Sequence, residues 1–512
     1  MTLENLENEL TNIYQELLEG EAKADKIASS MDSKYRLSAK NLYRYLILRS
    51  RDMRKLHDSL SDLGISSLRT SEGYVYKNVA NALKIVKLMQ GKDWTDDEKI
   101  ESIGYIKSKR LLHRHSNILF NSKDRQHSTE IMVTMPDEAA GDLEFLKNLI
   151  LSGMEIARIN LSHGNEEQWL DMVKSLNKVS KALHMPIKIY MDLSGPKIRV
   201  ADINIERKKG KKTKTVHSVK LRKDDKLILT KRETNGKRAR YDSKDRLVEM
   251  AEVAVSLPQI IDDIKIGENI FFDDGMIEAK VIEKTSEDAI LVITKAHKKK
   301  LSAQKGINLP DTHLRLPSLT DRDIELLPFV LEHADIVGYS FVRNADDVEK
   351  LYIELDRLKG NDIGIVFKIE NQEAFENLPL ILFEAMKKTK IGVMIARGDL
   401  AVEIGYERIS EVQNQILWLC EAAHIPVIWA TQVLDNLAKN GVATRAEVSD
   451  ASISAQAECV MLNKGPYIVE AVKTLKSILT KTESHTTKKK NTMRALHVAK
   501  MNLRKLSRPK SL

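Results

Sequence analysis

One pattern of residues occurs twice in the sequence and is the starting point for predicting the fold. It is found in 363–375 (IGIVFKIENQEAF) and in 391–405 (IGVMIARGDLAVEIG). Each begins as a run of apolar residues and ends abruptly in charged side chains. Lys368 and Glu370 close the first run, and Asp399 closes the second. Continuous apolar runs are typical of parallel strands that are buried on both faces of a sheet. The pattern therefore predicts two buried strands whose downstream ends carry chemistry.

Six more runs of this kind surround the first two, and most are followed by a segment with helical period. A β-then-α alternation favours a parallel sheet, and eight repeats favour closure into a (β/α)8 barrel. The eight runs are EIMVTM (130–135), EIARINLS (155–162), IKIYMDLS (187–194), DIVGYSF (335–341), IGIVFKIE (363–370), IGVMIARG (391–398), IPVIWATQ (425–432) and CVMLN (459–463).

One connection between these runs is too long for a single helix. It contains the β-rich segments 226–231, 269–283 and 289–295, with a turn at Asp274 and Gly275. Strand-like runs separated by turn residues indicate a β-rich insertion after the third strand of the barrel.

The first 125 residues have a different, helical character. Apolar residues recur at helical spacing in the first turns of the chain. The stretch 42–64 predicts a second helix that Gly64 ends, and 75–89 predicts a third.

The sequence thus predicts an α/β protein, a TIM (β/α)8 barrel with added domains. The predicted domains are an N-terminal all-helical domain at 1–125, the barrel at 126–199 and 301–480, an inserted β-rich lid domain at 200–300, and a basic C-terminal tail at 481–512.

The composition and the cysteine pattern indicate the cellular compartment that is expected for this protein. The chain has 512 residues, 42% of them hydrophobic, and no apolar run long enough to cross a bilayer. Its N-terminus lacks the features of a secretory signal. The two cysteines, Cys420 and Cys459, have no metal-ligand spacing, so a reducing, cytoplasmic compartment is expected.

The net charge of +9 is unevenly spread. The tail from 481 onward has ten Lys or Arg residues against one acid, and 207–214 and 297–300 are also basic. We interpret these runs first as solvated surface and second as an attraction for phosphorylated small molecules. No aromatic residues interleave with them, so we do not expect nucleic acid as a partner.

Functional side chains of such a barrel gather at the C-terminal ends of its strands. Lys368 and Glu370 are two residues apart, so on an extended strand they point to the same side. With Asp399 they form a group of two carboxylates and one ammonium. Mg²⁺ takes one or two protein carboxylates together with water and substrate oxygens. The lysine would then face negative charge that develops on the substrate.

Three more strand ends add to this group. Each polar residue alone could be an incidental cap on its strand, but five agreements at the same end of one barrel argue for a common site. The added residues are Arg158, Asn160, Ser162 and His163 in 157–164, Asp192, Lys197 and Arg199 in 191–199, and Thr431 in 429–432.

Together these motifs resemble the pyruvate kinase family across 129–472. The resemblance rests on the order and spacing of ARINLSHG (157–164), MDLSGPKIR (191–199), DDGMI (273–277), KGINLP (305–310), FKIEN (367–371), IARGDL (395–400), ATQVL (430–434) and TRAEVSD (444–450). It implies a TIM barrel with a β-rich lid, and transfer of a phosphoryl group from phosphoenolpyruvate to ADP. It also implies Mg²⁺ as cofactor, with Mn²⁺ as a substitute.

The resemblance also implies roles for single residues. Glu370 and Asp399 match the Mg²⁺ ligands, and Lys368 matches the lysine that stabilises the transferring phosphoryl group and the enolate. Arg158 matches the arginine that holds the phosphate. Thr431 and the backbone at Gly398 match the binding site of the substrate carboxylate, and Thr431 is also linked to protonation of the enolate. Contacts on the nucleotide side are implied for Asn160, Ser162, His163, Arg199 and Lys305, and for Asp274 in the lid.

One departure concerns the monovalent cation. Most of the family holds K⁺ partly through the matches of Asn160, Ser162 and Asp192. A glutamate usually stands where this chain has Lys197, and a threonine where it has Leu193. A fixed ammonium can replace a monovalent cation, so the sequence predicts activity without K⁺.

Other departures leave the phosphoryl acceptor open. The family's TIGPAS reads TMPDEAAGD at 134–142, and its SGETAKG is replaced within 461–472, where Lys464 could match the lysine. The usual C-terminal regulatory domain has no match, and the N-terminal helices could replace it in a homo-oligomer. Three readings follow: a K⁺-independent pyruvate kinase, an enzyme for phosphoenolpyruvate or another 2-oxo acid with a different acceptor, or a non-catalytic, metabolite-sensing regulatory protein.

Overall fold

The computed structural model describes residues 1–65, 68–95, 100–120, 129–209, 212–244, 246–487 and 490–491; most of the predicted basic tail lies outside these ranges. The strands are β1 (Glu130–Thr134), β2 (Ile156–Asn160), β3 (Lys188–Asp192), β4 (Ile205–Lys209), β5 (Lys212–Val216), β6 (Ser218–Lys220), β7 (Lys226–Thr230), β8 (Arg240–Tyr241), β9 (Leu247–Glu249), β10 (Ala251–Ala254), β11 (Asn269–Phe272), β12 (Ile277–Lys284), β13 (Asp288–Ala296), β14 (Lys300–Ser302), β15 (Ile307–Asn308), β16 (Ile336–Tyr339), β17 (Gly364–Ile369), β18 (Ile391–Ala396), β19 (Val427–Ala430), β20 (Cys459–Leu462), β21 (Thr486–Thr487) and β22 (Lys490–Asn491).

Most of the helices lie either in the N-terminal region or between barrel strands. They are α1 (Leu3–Glu19), α2 (Glu21–Ser29), α3 (Arg36–Arg49), α4 (Arg54–Asp62), α5 (Val75–Met89), α6 (Tyr105–Phe120), α7 (Leu143–Ser152), α8 (Glu166–Leu183), α9 (Ile260–Asp263), α10 (Asp321–His333), α11 (Ala345–Arg357), α12 (Gln372–Glu376), α13 (Leu378–Ala385), α14 (Arg397–Ile404), α15 (Ile409–Ala423), α16 (Asp435–Asn440), α17 (Arg445–Ser454) and α18 (Ile468–Glu483). Within the described ranges, none of them is long and apolar enough to cross a membrane.

A closed barrel of parallel strands forms the centre of the fold, in the order β1, β2, β3, β16, β17, β18, β19, β20. The eight runs predicted from the sequence supply these eight strands, so the predicted fold class is confirmed. The barrel strands are mostly apolar because both of their faces are covered. The chain divides into two compact units, Met1–Ile159 with Gly164–Tyr190 and Leu419–Leu512, and Asn160–His163 with Met191–Trp418. Each is described by itself.

The N-terminal helices of the first unit bury an apolar stripe. Thr2 caps α1 by accepting a hydrogen bond from the backbone of Asn5. Leu6, Leu10 and Leu17 follow at helical spacing and are fully buried, which places the apolar face of α1 in the core.

The predicted single helix over 42–64 is wrong, because the structure divides it into α3 and α4. Ser50 turns its hydroxyl back to the carbonyl of Ile47, and the carboxylate of Asp52 accepts a bond from the backbone of Arg54. Short polar side chains that bond to nearby backbone compete with the helical ladder. Two of them close together end α3 and begin a new segment.

The loop before β19 inserts a histidine among the N-terminal helices. His424 Nδ1 lies 3.1 Å from Ser38 Oγ, and its Nε2 lies 3.0 Å from the Gly73 carbonyl and 3.1 Å from Ser108 Oγ. The Nδ1 of His115 lies 2.7 Å from the carbonyl of His424. Burial, and next the neighbouring His115, lower the pKa of His424 to about 3. A neutral imidazole therefore joins the helical region to the barrel.

The inserted region of the second unit is a six-stranded sheet in the order β10, β7, β13, β12, β11, β15. Its core is mostly aliphatic and includes Leu227, Val253 and Ile270, with Phe272 among them. The turn predicted at Asp274 and Gly275 connects β11 to β12, which pair antiparallel. The β-rich insertion expected from the sequence is thus confirmed.

Two chain segments lead into and out of this sheet, and they pair with each other. We call 197–200 and 304–308 the hinge ribbon. Arg199 and Gly306 form an antiparallel bridge, the backbone of Val200 donates to Lys305 at 2.8 Å, and that of Ile307 donates to Ile198 at 2.9 Å. The insertion is therefore joined to its barrel strands by a short two-stranded ladder.

Candidate active site

Lys368 lies at the carboxyl end of β17 with acidic side chains on two sides. Its Nζ is 3.1 Å from Glu370 Oε1 and 3.6 Å from Asp192 Oδ2. The side chains of Lys368, Glu370 and Asp192 are 10%, 5% and 1% exposed. The prediction that Lys368 and Glu370 point to the same side of the strand is confirmed. Because these side chains are shielded from water, the stability of each ionised group depends strongly on its charged partners.

Ser340 fixes the orientation of this lysine. Lys368 Nζ donates to Ser340 Oγ at 2.8 Å, and that hydroxyl donates to the carbonyl of Leu193 at 2.6 Å. Sequence reasoning missed Ser340, although its position at the end of the run 335–341 gave the same signal as the other strand-end residues. The hydroxyl holds the ammonium between the ends of neighbouring strands.

Glu370 carries the clearest electrostatic perturbation of the group. Burial raises its pKa, Lys368 opposes the rise, and Asp399 adds to it. The backbone of Phe341 also donates to Glu370 Oε2, at 2.7 Å. The mutual repulsion of Glu370 and Asp399 means that a cation between them would stabilise both ionised forms.

Asp399 lies in the first turn of α14, where it meets Lys197. The ammonium of Lys197 is 3.0 Å from each carboxylate oxygen and lies over the ring of Phe341, 5.9 Å from its centroid. Gly398 precedes Asp399 in the same turn of the helix. Lys197, predicted to replace a monovalent cation, therefore pairs with one of the two predicted metal ligands.

Two carboxylates with hard oxygen donors fit Mg²⁺ if water and substrate supply the other ligands. Glu370 and Asp399 are such a donor pair. In the part of the chain that the structure describes, no group of three or more His, Cys, Asp or Glu side chains could hold a metal ion. The donor set thus suits a cation shared with a substrate and not a closed structural site.

Arg158 and Thr431 belong to the first unit. Arg158 Nη1 donates to Thr134 Oγ1 at 2.9 Å, so the neighbouring strand β1 steadies the guanidinium at the end of β2. Thr431 directly follows β19 and has φ of 65°, and Gln432 and Leu434 also have positive φ. A β-branched residue is strained in this region, and such strain often marks functional positions.

The residues predicted to contact nucleotide lie in three places of the second unit. Asn160 ends β2, and its Oδ1 accepts from the backbone of Ser162 in the turn that follows, at 3.2 Å. His163, in the same turn, donates its backbone N–H to the Asn160 carbonyl at 3.3 Å. Leu161 links this turn to Asp192 through a backbone bond of 3.1 Å. The structure therefore brings the matches of the K⁺ ligands Asn160, Ser162 and Asp192 onto adjoining segments.

The other predicted nucleotide residues are in the hinge ribbon and the lid turn. Arg199 donates to the carbonyl of Gln304 at 3.1 Å, and Lys305 lies 2.8 Å from Asp273. Asp274 uses its carbonyl to accept from the Tyr406 hydroxyl at 2.8 Å.

Asp273, which sequence reasoning passed over, is more firmly held than Asp274. Lys298 lies 2.6 Å and Lys305 2.8 Å from its carboxylate. Burial acts to raise the pKa of Asp273, but the bonds from these two lysines outweigh it and hold the pKa below its usual range. Two adjacent aspartates give no sequence signal that tells which one will be paired.

The two loops that depart from the family pattern lie together in the first unit. β1 and β20 pair in parallel with Val133 opposite Leu462, so the loops after them start side by side. Lys464 Nζ is 3.8 Å from Asp137 Oδ1, with 52% and 72% of these side chains exposed. An exposed pair of this kind contributes little stability, which leaves both side chains able to meet a ligand.

The chain matches the family model described as "Pyruvate kinase, barrel domain" over residues 126–472. Curated relatives include the proteins named pyruvate kinase of Staphylococcus aureus strains USA300, COL and N315. Each is 32% identical over 363 residues, which are 70% of this chain and 57% of the relative. The match thus spans little more than half the length of these relatives.

Proposed function

The chain belongs to the pyruvate kinase family, and on this premise we propose that it transfers the phosphoryl group of phosphoenolpyruvate to ADP, giving pyruvate and ATP. The reaction depends on Mg²⁺, or Mn²⁺ in its place, and needs no K⁺. It takes place in the cytoplasm.

The observation that carries this proposal is the buried ammonium of Lys368 between Asp192 and Glu370. Phosphoryl transfer needs positioning and neutralisation of charge more than covalent chemistry by the protein. Lys368, held by Ser340, is a fixed positive charge at the end of a strand. It faces the phosphoryl group during transfer and then the enolate oxygen that the transfer leaves behind.

The remaining roles follow the same logic. Glu370 and Asp399 would hold Mg²⁺, and the bound ion would supply positive charge to the phosphoryl oxygens. Arg158 holds the phosphate of the substrate. Thr431 and the backbone at Gly398 bind the carboxylate of the substrate. Thr431 also helps to deliver the proton that converts the enolate to pyruvate.

Independence from K⁺ is supported by the position of Lys197. Its ammonium lies 3.0 Å from the carboxylate of Asp399, so a fixed positive charge is present beside one predicted metal ligand. A monovalent cation is then redundant for balancing the negative charge of the site.

Two assays test the proposal. Formation of ATP from phosphoenolpyruvate and ADP in K⁺-free buffer tests the whole reaction. Exchange of pyruvate methyl protons with solvent D₂O, in the presence of Mg²⁺ and phosphate, tests the enolate chemistry alone. We expect both to be positive and both to be lost in Asp399→Asn. Failure of both assays in the unaltered protein would refute the proposal.

A different phosphoryl acceptor is the second candidate, and the contact between Asp137 and Lys464 favours it. An acid stands at the loop after β1, where it would repel the phosphates of a nucleotide. Proton exchange without ATP formation would support this candidate. Addition of other hydroxyl-bearing or phosphorylated acceptors to the same assay would then identify the acceptor class.

A further inference from the structure

One face of α14 is attached to both strands of the hinge ribbon. Asp399 and Glu403 are four residues apart, so they lie one above the other on the same side of the helix. Asp399 bonds Lys197 on the first strand of the ribbon at 3.0 Å. Glu403 accepts a hydrogen bond from Asn308 on the second strand at 3.0 Å.

From this arrangement we propose that Asn308 and Glu403 are a positioning pair, which holds α14 on the hinge ribbon so that Asp399 is presented to the metal ion. The inference rests on the proposed function, because it assumes that Asp399 binds Mg²⁺.

The two attachments respond differently to a metal ion. A cation at Asp399 would compete with the ammonium of Lys197 for the same carboxylate oxygens, so that attachment would weaken when metal binds. The bond between Asn308 and Glu403 involves neither ligand and persists. Together with the bond from the backbone of Leu309 to Glu403, it would keep the helix in place when Asp399 changes partner.

The local environment makes this bond hard to replace. Asn308 is 8% exposed and lies on β15, which pairs with β11 of the inserted sheet. Burial raises the pKa of Glu403 to about 7, while the bond from Asn308 acts in the opposite direction. The backbone of Leu309 also donates to Glu403, so a partly buried carboxyl group that lost Asn308 would keep one donor and lose its only side-chain tie to the ribbon.

A second contact joins the turn between β11 and β12 to the residues just after α14, and it is weaker. Tyr406, just after α14, donates its hydroxyl to the carbonyl of Asp274 at 2.8 Å, but the residue is 60% exposed. Water can replace this bond readily, so it does not substitute for the less exposed bond between Asn308 and Glu403.

The test uses Mn²⁺ alone, titrated into the full-length protein and followed by the electron paramagnetic resonance of the free ion. Asn308→Leu keeps the size of the side chain and removes the donor, and Glu403→Leu removes the acceptor. We expect each to weaken Mn²⁺ binding about fivefold, the equivalent of one hydrogen bond. The double variant should be no weaker than either single one.

Two further variants make the result specific. Glu403→Gln retains an oxygen that can accept from Asn308, so it should bind Mn²⁺ within twofold of the unaltered protein. Asn269 bonds Asp311 in the same sheet at 2.8 Å without touching α14, and Asn269→Leu should leave Mn²⁺ affinity unchanged. Thermal melting of each variant shows whether the protein is folded.

The outcomes separate this inference from the proposed function. If Mn²⁺ does not bind, or binds equally well to Asp399→Asn, the metal site itself is wrong and the positioning pair is refuted with it. If Mn²⁺ binds through Asp399 but Asn308→Leu and Glu403→Leu bind it normally, only the positioning pair is refuted. Independent, additive effects of the two variants would refute it as well.

Discussion

Lys197 bonds both carboxylate oxygens of Asp399 at 3.0 Å, although 202 positions separate the two residues in the chain. The ammonium therefore balances the charge of a predicted metal ligand from within the protein. The ion pair joins the hinge ribbon to the helix α14. It is also the basis of the proposed independence from K⁺.

The first prediction is that replacing this lysine changes the ion requirement. Lys197→Glu should need added K⁺ for ATP formation, because it places a second carboxylate beside Asp399 and removes the fixed positive charge. The unaltered protein should be equally active with K⁺ or with tetramethylammonium. As a matched control, Lys295→Glu alters an exposed lysine of the insertion that pairs with Glu278, and should not create a K⁺ requirement. A strict K⁺ requirement of the unaltered protein would contradict the prediction.

The second prediction concerns Lys368. Lys368→Met should lower turnover by about three orders of magnitude or more, since it removes the charge that stabilises the transferring group. Binding of Mn²⁺ should remain, because Glu370 and Asp399 are intact. The matched control is Lys390→Met. Lys390 directly precedes β18, and its ammonium pairs with Asp362. Loss of this ammonium should leave turnover near normal. Full activity of Lys368→Met would eliminate the assigned role.

The third prediction uses the backbone strain at Thr431. With φ of 65°, this position suits glycine better than alanine, so Thr431→Gly should be more stable than Thr431→Ala by about 1 kcal/mol. Ala430→Gly, one residue earlier in β19, should instead be less stable than the unaltered protein. Denaturant unfolding measures all three. Equal stability of the glycine and alanine variants at 431 would show that the strain is absent.

The fourth prediction is a pH dependence of stability from His424. Its folded-state pKa of about 3 lies below the unfolded value of about 6.5, so the unfolded state takes up the proton first. The free energy of unfolding should therefore fall as pH decreases from about 6.5 towards 3, by at most about 1.4 kcal/mol per pH unit from this group.

His424→Asn should flatten that part of the profile, measured by denaturant unfolding at a series of pH values. Asparagine is chosen because it tolerates the positive φ of 51° at this position. His115, whose pKa burial also lowers, contributes a residual slope. The same replacement of His313, whose side chain is exposed, serves as the control for the loss of a surface histidine. An identical slope in His424→Asn and the unaltered protein would contradict the prediction.

The sequence by itself determined the barrel and the position of its chemistry. Parallel strands are buried on both faces, so each leaves a continuous apolar run that can be read without a partner strand. The two-residue period of a strand likewise placed Lys368 and Glu370 on one side. These are local regularities, and the eight runs and this pair were predicted for that reason.

Only the tertiary structure shows which polar side chains of the site form pairs. The bonds of Lys197 to Asp399 and of Asn308 to Glu403 join segments about a hundred or more residues apart, and no local pattern selects those partners. The insertion of His424 among the N-terminal helices depends in the same way on packing between distant segments. The break between α3 and α4 also escaped prediction, because the apolar spacing continues through it while polar side chains divert the backbone.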